Sequence, residues 1–284
     1  MPDSLLPLID LLPIGRNAPG LQRMAATLPF SSYIALELTS GETDTMSLCA
    51  HVPPRKGEWR RFHPRILAAC LDEDAACAGF VQSVYLEFDA PYGDAPGVFV
   101  GLRNDLPARE AAVRAVAGIV VPGTQVPHDL APHVSHVAAM PARSPSLLRL
   151  NLLAAGILCV APLEQLAASV ADVTSHCVGS VDVTHGVLSD RVGMECYVKD
   201  WERFFGICRQ RGWCSDADVA RWLSWPGEAA GPVVDDLPDW ARWTGQLLNA
   251  RSGVVRTLNH AKLVARPDHP VEMKIYPAVH HVWH

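Results

Sequence analysis

The sequence lacks the short motifs that mark the common enzyme classes. It has no GxSxG around a serine, no P-loop or GxGxxG, and no HExxH, so no serine-elbow, nucleotide-binding or zinc-protease site is indicated. Its eight cysteines include no CxxC pair. Because cysteine behaves as a small hydrophobe, this spacing predicts buried free thiols rather than a zinc site.

An excess of positive charge and long apolar runs are also missing. Lys and Arg (24) are fewer than Asp and Glu (30), and no basic stripe could neutralise phosphates, which argues against nucleic acid as a partner. The apolar N-terminal run has no basic residues before it and is broken by Pro7, Asp10 and Pro13. It predicts neither a signal peptide nor a membrane span, so a cytoplasmic protein is expected.

What the chain does have is enough apolar material for a substantial core. It is 284 residues long and 49% hydrophobic, which predicts a single domain over residues 1–284 with, as an alternative, a soft division near residues 122–132. The sequence leaves open whether the protein is a monomer or a homodimer.

Runs of alternating apolar and polar residues recur in pairs, and each pair is joined by a stretch rich in turn residues. Helical segments separate five such ββ units, which excludes a fold in which single strands alternate with helices. The sequence therefore predicts an α+β fold, with five antiparallel hairpins forming a sheet or barrel-like array and helices on one side. The predicted pairs are 33–39 with 45–52, 83–89 with 98–102, 134–140 with 147–153, 180–184 with 193–198, and 260–265 with 271–276.

Side chains two residues apart share one face of a strand. One face of the predicted hairpins is apolar, whereas the other collects tyrosines and charged residues. An ordinary solvated face explains this pattern, and so does a groove or lumen lined by the polar face. On the second interpretation, the candidate binding residues are Tyr85, Glu87, Arg149, Glu195, Tyr197, Lys262, Lys274 and Tyr276.

The late histidines are candidate metal ligands. Two or three histidines with a carboxylate can hold iron or zinc, and His260 and His280 are the better placed candidates near the C-terminus. A metal-dependent oxidase acting on a peptide is one function that such a site would support.

Five ββ units with intervening helices resemble the αββα barrel of aromatic prenyltransferases, including those that act on cyclic peptides. The resemblance implies a lumen in which lysines, arginines and tyrosines hold a pyrophosphate and a glutamate orients the aromatic acceptor. In this chain it implies that Arg149, Lys262 and Lys274 bind phosphate and that Glu37 faces the acceptor. Tyr85, Tyr197 and Tyr276 would then shield a carbocation.

Three phrases resemble a second family, the peptide-binding proteins of the crocagin pathway. They are SVYLEFDAP with PGVFVGL (83–102), VGMECYVKDWERFF (192–205) and HAKLVARPDHPVEMKIY (260–276). This resemblance implies recognition of a ribosomal precursor peptide while its pyrroloindoline core is formed. Catalysis would be assisted by this protein or supplied by a paralogue, and no catalytic residue can be assigned.

Overall fold

The computed structural model describes residues 23–24, 28, 33–39, 46–52, 57–72, 74–89, 95–231 and 239–284. The sequence from Pro19 to Leu28 predicts a short helix with a proline near its start, and this segment lies largely outside the described residues. The turn Ser40–Glu42 and most of the loop between the second pair of strands also lie outside them. The side chains of residues 33–39 also lie outside the description, although their backbone belongs to a strand.

Eleven strands form one antiparallel sheet among the described residues. They are β1 (Tyr33–Thr39), β2 (Met46–His51), β3 (Val81–Asp89), β4 (Gly97–Leu102), β5 (Val134–Ala139), β6 (Leu147–Leu152), β7 (Thr174–Thr184), β8 (Val187–Val198), β9 (Gly227–Ala230), β10 (Ser252–Ala265) and β11 (Glu272–Trp283). The predicted organisation is confirmed, since the five ββ units are β1–β2, β3–β4, β5–β6, β7–β8 and β10–β11.

The strand pairings return on themselves. Strands β1 to β8 pair in sequence order, β8 pairs with β10, β10 with β11, and β11 with β1. Ten strands therefore form a closed ring, which we call the ring, and this arrangement hydrogen-bonds both edges of each member. The short strand β9 pairs with the first part of β10, beyond the point where β8 ends.

In the described part of the chain, seven α-helices lie between the ββ units: α1 (Pro64–Leu71), α2 (Arg109–Val120), α3 (Ala154–Ile157), α4 (Ala161–Val170), α5 (Trp201–Gln210), α6 (Asp216–Leu223) and α7 (Asp239–Leu248). The Asp200 side chain caps α5, accepting a hydrogen bond from the backbone N–H of Arg203. Ser215 and Asp218 form a capping box at α6. None of the described helices is long and apolar enough to cross a bilayer.

The hydrophobic core lies between the outer face of the ring and the helices. Outward-facing strand residues such as Leu86, Leu150 and Leu263 are fully buried and belong to the same apolar cluster as Val113 of α2 and Phe204 of α5. The alternation in the sequence explains this layer, because every second residue of each strand faces the helices. The other half of each strand is left for the inside of the ring.

The structure corrects several predicted boundaries. Strand β7 begins at Thr174 rather than Ser180, and the terminal strands run over residues 252–265 and 272–283, well beyond the predicted limits. Strand β9 was not predicted, because GEAA contains none of the β-branched or aromatic residues that favour strands. Residues 162–173, which the sequence alone predicts as one helix, form most of α4 followed by a short 3-10 turn, and α3 precedes them.

Candidate functional site

The inner face of the ring brings together all eight binding residues predicted from the sequence. Each alternates along its strand with residues that face the outer core. Their positions are Tyr85 and Glu87 on β3, Arg149 on β6, Glu195 and Tyr197 on β8, Lys262 on β10, and Lys274 and Tyr276 on β11. The groove or lumen interpretation therefore fits their placement, and their role in binding stays a prediction.

Four aromatic rings stack across neighbouring strands β7, β8, β10 and β11 on this inner face. The ring centroids of His176 and Tyr197 are 4.1 Å apart, those of Tyr197 and His260 are 5.3 Å apart, and those of His260 and Tyr276 are 3.9 Å apart. The planes of successive rings differ by 12° to 25°. We call His176, Tyr197, His260 and Tyr276 the aromatic ladder.

A row of charged side chains lies next to the ladder, two residues further along the same strands. Lys262 pairs in register with Glu195 of β8 and with Lys274 of β11. Lys262 Nζ lies 3.6 Å from Glu195 Oε1, and Lys274 Nζ lies 3.4 Å from Glu272 Oε1. The Lys262 side chain is only 5% exposed, so its charge is held inside the ring.

Gly193 makes room for the Lys262 side chain. A Cβ atom at this position would lie 2.9 Å from Lys262 Cε and 2.6 Å from Ser180 Oγ. Both distances are shorter than a non-bonded carbon tolerates, so a larger residue at position 193 would force Lys262 or Ser180 to move. The glycine therefore lets the lysine chain cross β8 inside the ring.

The most buried ion pair of the interior joins β6 to β7. Arg149 donates to Asp182 through two nearly parallel hydrogen bonds, Nε to Oδ1 at 2.7 Å and Nη2 to Oδ2 at 2.9 Å. Arg191 Nη1 lies 3.4 Å from the same carboxylate. Burial alone would raise the pKa of Asp182, but the hydrogen bonds and charge of Arg149 outweigh it and hold the pKa below its usual value.

A second group of ion pairs connects the turn between β5 and β6 to β3. Arg143, from the turn between β5 and β6, donates to Asp89 at 2.9 and 3.0 Å and to Glu87 at 2.8 Å. The Ser47 hydroxyl donates to Asp89 Oδ1 at 2.6 Å. Glu87 is thereby buried beneath a cationic partner whose own side chain is 29% exposed.

A second aromatic group lies on β2, β3 and β5. The Tyr85 ring is 5.2 Å from that of His51 and 6.4 Å from that of His136. Burial lowers the pKa of His136, against the opposing effect of the Glu195 carboxylate across the interior. Burial and the same Glu195 charge raise the pKa of Tyr197. The Glu195 carboxylate therefore affects the pKa of one residue in each aromatic group.

The cations described on the inner side of the ring are paired with carboxylates. Five of them, Arg143, Arg149, Arg191, Lys262 and Lys274, each lie within 4 Å of a carboxylate. The carboxylates are Glu87, Asp89, Asp182, Glu195 and Glu272. The described part of the interior therefore carries many charges of both signs.

The structure does not bring the two predicted metal ligands together. His260 stacks between two tyrosines, whereas His280 lies four residues beyond Tyr276 on β11, where its Nε2 is 3.3 Å from Thr257 Oγ1. Four residues of strand span about 13 Å. Within the part of the chain that the structure describes, no three His, Cys, Asp or Glu residues form a group that could hold a metal ion.

Sequence reasoning missed several residues of the interior. His176 falls before the predicted start of β7. Arg143 lies in a turn, and its side chain reaches back across two strands to Glu87. Asp182 could have been found, because it alternates in step with Ser180 and Thr184. Glu37, the predicted acceptor-facing residue, pairs in register with Ser47, and its side chain lies outside the described residues.

Comparisons with known proteins find likenesses of structure only. No family model matches the chain, and no curated protein matches its sequence. The apo form of the prenyltransferase PriB superposes with a TM-score of 0.55 at 11% identity, over 96% of this chain and 93% of that one. The 5-dimethylallyltryptophan synthase of Streptomyces coelicolor gives a TM-score of 0.48 at 13% identity, over 86% and 79%.

The likeness to PriB covers nearly the whole of both chains and is one of fold. It supports the prenyltransferase-type architecture predicted from the ββ units. None of the comparisons supports the resemblance to the crocagin-pathway proteins.

Proposed function

We propose that this protein transfers a prenyl group from a prenyl diphosphate to an aromatic acceptor held inside the ring. The observation that carries the proposal is the aromatic ladder, which lies directly beside the row containing Lys262 and Lys274. Faces of aromatic rings stabilise a cation, and lysine and arginine bind phosphate oxygens. The allylic carbon would thus meet the aromatic ladder, and the diphosphate would meet the neighbouring row of charged side chains.

The proposed reaction breaks the bond between the allylic carbon and the diphosphate oxygen. A carbon–carbon bond to the acceptor ring forms, the ring loses a proton, and diphosphate leaves. Tyr197, His260 and Tyr276 would cover the allylic cation, while Lys262, Lys274 and Arg149 would meet the diphosphate. The likeness in fold to PriB is consistent with this assignment.

The pairing of the described interior cations with carboxylates favours a second candidate. A diphosphate must compete with Glu195, Glu272 and Asp182 for the same cations, whereas a neutral aromatic group meets no such competition. The second candidate is therefore a binding protein that holds an aromatic side chain of a linear peptide inside the ring without transferring a prenyl group. A ribosomal precursor peptide is the partner that the sequence predicted.

Calorimetric titration separates the two candidates. The full-length protein is titrated with dimethylallyl thiolodiphosphate, L-tryptophan and a linear tryptophan-containing peptide, and then incubated with dimethylallyl diphosphate and each acceptor. Saturable binding of the thiolodiphosphate and an acceptor product heavier by one dimethylallyl group support the transferase. Peptide binding without thiolodiphosphate binding supports the second candidate, and absence of both overturns the two together.

A matched variant tests the site rather than the fold. Lys262→Met removes one interior cation and keeps a chain of similar length. If the transferase proposal is right, this variant loses thiolodiphosphate affinity while the wild-type affinity for L-tryptophan is retained. Equal affinity of variant and wild type for the thiolodiphosphate would remove Lys262 from the donor site.

A further inference from the structure

Two of the eight cysteines lie directly opposite each other on neighbouring strands. Cys177 of β7 and Cys196 of β8 are register partners on the outer face of the ring, and both are free thiols. Opposed residues of an antiparallel pair have Cα atoms about 4.5 to 5.5 Å apart. A disulfide requires about 4.4 to 6.8 Å, so a bond between these cysteines needs no rearrangement of the strands.

The two thiols differ in environment in a way that suits stepwise disulfide exchange. Cys177 is half-buried, and its Sγ lies 3.7 Å from Thr174 Oγ1. A hydrogen bond from the Cys196 thiol lowers the pKa of Cys177 to about 7. Cys196 is fully buried, and its pKa is raised by the same contact and by burial. Cys177 is thus the reachable nucleophile, and Cys196 stands behind it.

The other close cysteines show the opposite behaviour. Burial raises the pKa of Cys70 to about 12 and that of Cys214 to about 11. Burial also raises the pKa of Cys77 and of Cys208. These thiols are poor nucleophiles near neutral pH, so the cross-strand pair is distinct within the chain.

We propose that Cys177 and Cys196 are a redox-sensitive thiol pair that a low-molecular-weight disulfide, such as oxidised glutathione, converts to an intramolecular disulfide. The Cys177 thiolate attacks one sulfur of the oxidant, whose sulfur–sulfur bond breaks and releases one thiolate. Cys196 then attacks Cys177 Sγ and displaces the second. The oxidant receives two electrons, and the two displaced thiolates take up the two thiol protons.

The disulfide would link β7 to β8 where the aromatic ladder begins. His176 and Tyr197, which stack on each other, directly adjoin Cys177 and Cys196 in the chain and face the opposite side of the sheet. Oxidation therefore joins the two strands that hold the first two rings of the ladder. The inference does not depend on which ligand the interior binds.

The test follows the intact mass of reduced, full-length protein exposed to oxidised glutathione near neutral pH. We expect a transient species carrying one glutathione, then a product lighter than the reduced protein by two hydrogen atoms. Proteolytic mapping should find one linked pair, containing Cys177 and Cys196, and dithiothreitol should reverse the change. A mixed disulfide at Cys177 that never closes, or modification of the exposed Cys159 alone, would overturn the proposal.

Two serine variants and a kinetic measurement sharpen the test. Cys196→Ser should stop at the mixed disulfide on Cys177, and Cys177→Ser should leave Cys196 unmodified. In wild-type protein, iodoacetamide alkylation at Cys177 should begin at a lower pH than at an ordinary thiol, because the hydrogen bond from Cys196 lowers the pKa of Cys177. Alkylation of Cys214 should begin only at much higher pH, and equal rates at the two sites near neutral pH would contradict the inference.

Discussion

The two faces of the ring differ both in chemistry and in exposure to water. On β10, Ala261 and Leu263 face the helices and are fully buried, while their neighbours His260 and Lys262 face inward with exposures of 8% and 4%. The outward face stabilises the fold, because burying each aliphatic side chain contributes about 1.5 to 3 kcal/mol of stability. The inward face gains no comparable stability from its charges.

Buried ion pairs seldom stabilise a fold, because desolvation of both charges offsets their attraction. Apolar residues on the inner face would fill the ring at lower cost in free energy. The cost of the five interior cations and their carboxylates is consistent with the ligand recognition proposed for the inner face. Folding is driven by the outer face.

The largest expected effect comes from breaking the interior at its most buried pair. Arg149→Met leaves Asp182 without its two shortest hydrogen bonds, and we expect a loss of about 3 to 5 kcal/mol in the free energy of unfolding. Urea denaturation measures this loss. The double variant Arg149→Met with Asp182→Leu should recover only part of it, because Arg191 then loses the carboxylate 3.4 Å from its Nη1. A single variant as stable as wild type would contradict the proposed cost of breaking the Arg149–Asp182 pair.

A cavity on the outer face should affect stability and leave recognition intact. Leu263→Ala removes a fully buried side chain, and we expect the free energy of unfolding to fall by about 3 kcal/mol. Calorimetry on the folded variant should give wild-type affinity for whichever ligand the protein binds. Lys262→Met, one residue away on the opposite face, should weaken ligand binding as well as break the Lys262–Glu195 pair, and wild-type ligand affinity in this variant would break the division between the faces.

Releasing an interior cation tests which ligand the inner face suits. Glu195→Gln keeps the shape of the side chain but removes the negative charge 3.6 Å from Lys262 Nζ. If a diphosphate binds there, its affinity should rise about tenfold, which corresponds to about 1.4 kcal/mol. Titration with dimethylallyl thiolodiphosphate measures the change. Unchanged affinity for the thiolodiphosphate would place its phosphates elsewhere.

The sequence was sufficient to predict the ββ units and the alternation of their faces, because strand periodicity is local. It also placed eight residues such as Glu195 and Lys262 on one face. Closure of the ring was beyond it, since this depends on Tyr33 pairing with His280 from the far end of the chain. Likewise, the Arg149–Asp182 pair depends on the register between two strands, which no local pattern specifies.

The smallest predicted effect is a pH dependence of the free energy of unfolding that arises on the inner face. Burial holds the folded-state pKa of His136 below the usual value of 6.5, so between these two pKa values the unfolded chain binds a proton that the folded protein does not. Stability should therefore fall as the pH is lowered through about 6.5. The lowered pKa of Asp182 acts in a separate window, below its usual value of 3.8.

Substitution of His136 assigns part of this pH dependence to the inner face. His136→Gln should flatten the slope of unfolding free energy between about pH 7 and pH 5, measured by urea denaturation at each pH. A remaining slope is expected, because burial also lowers the pKa of His51, His63, His280 and His281. Leu263→Ala should leave the slope as it is in wild type, since Leu263 lies in the apolar cluster on the outer face of the ring. An unchanged slope in His136→Gln would show that the interior is more hydrated than its burial indicates.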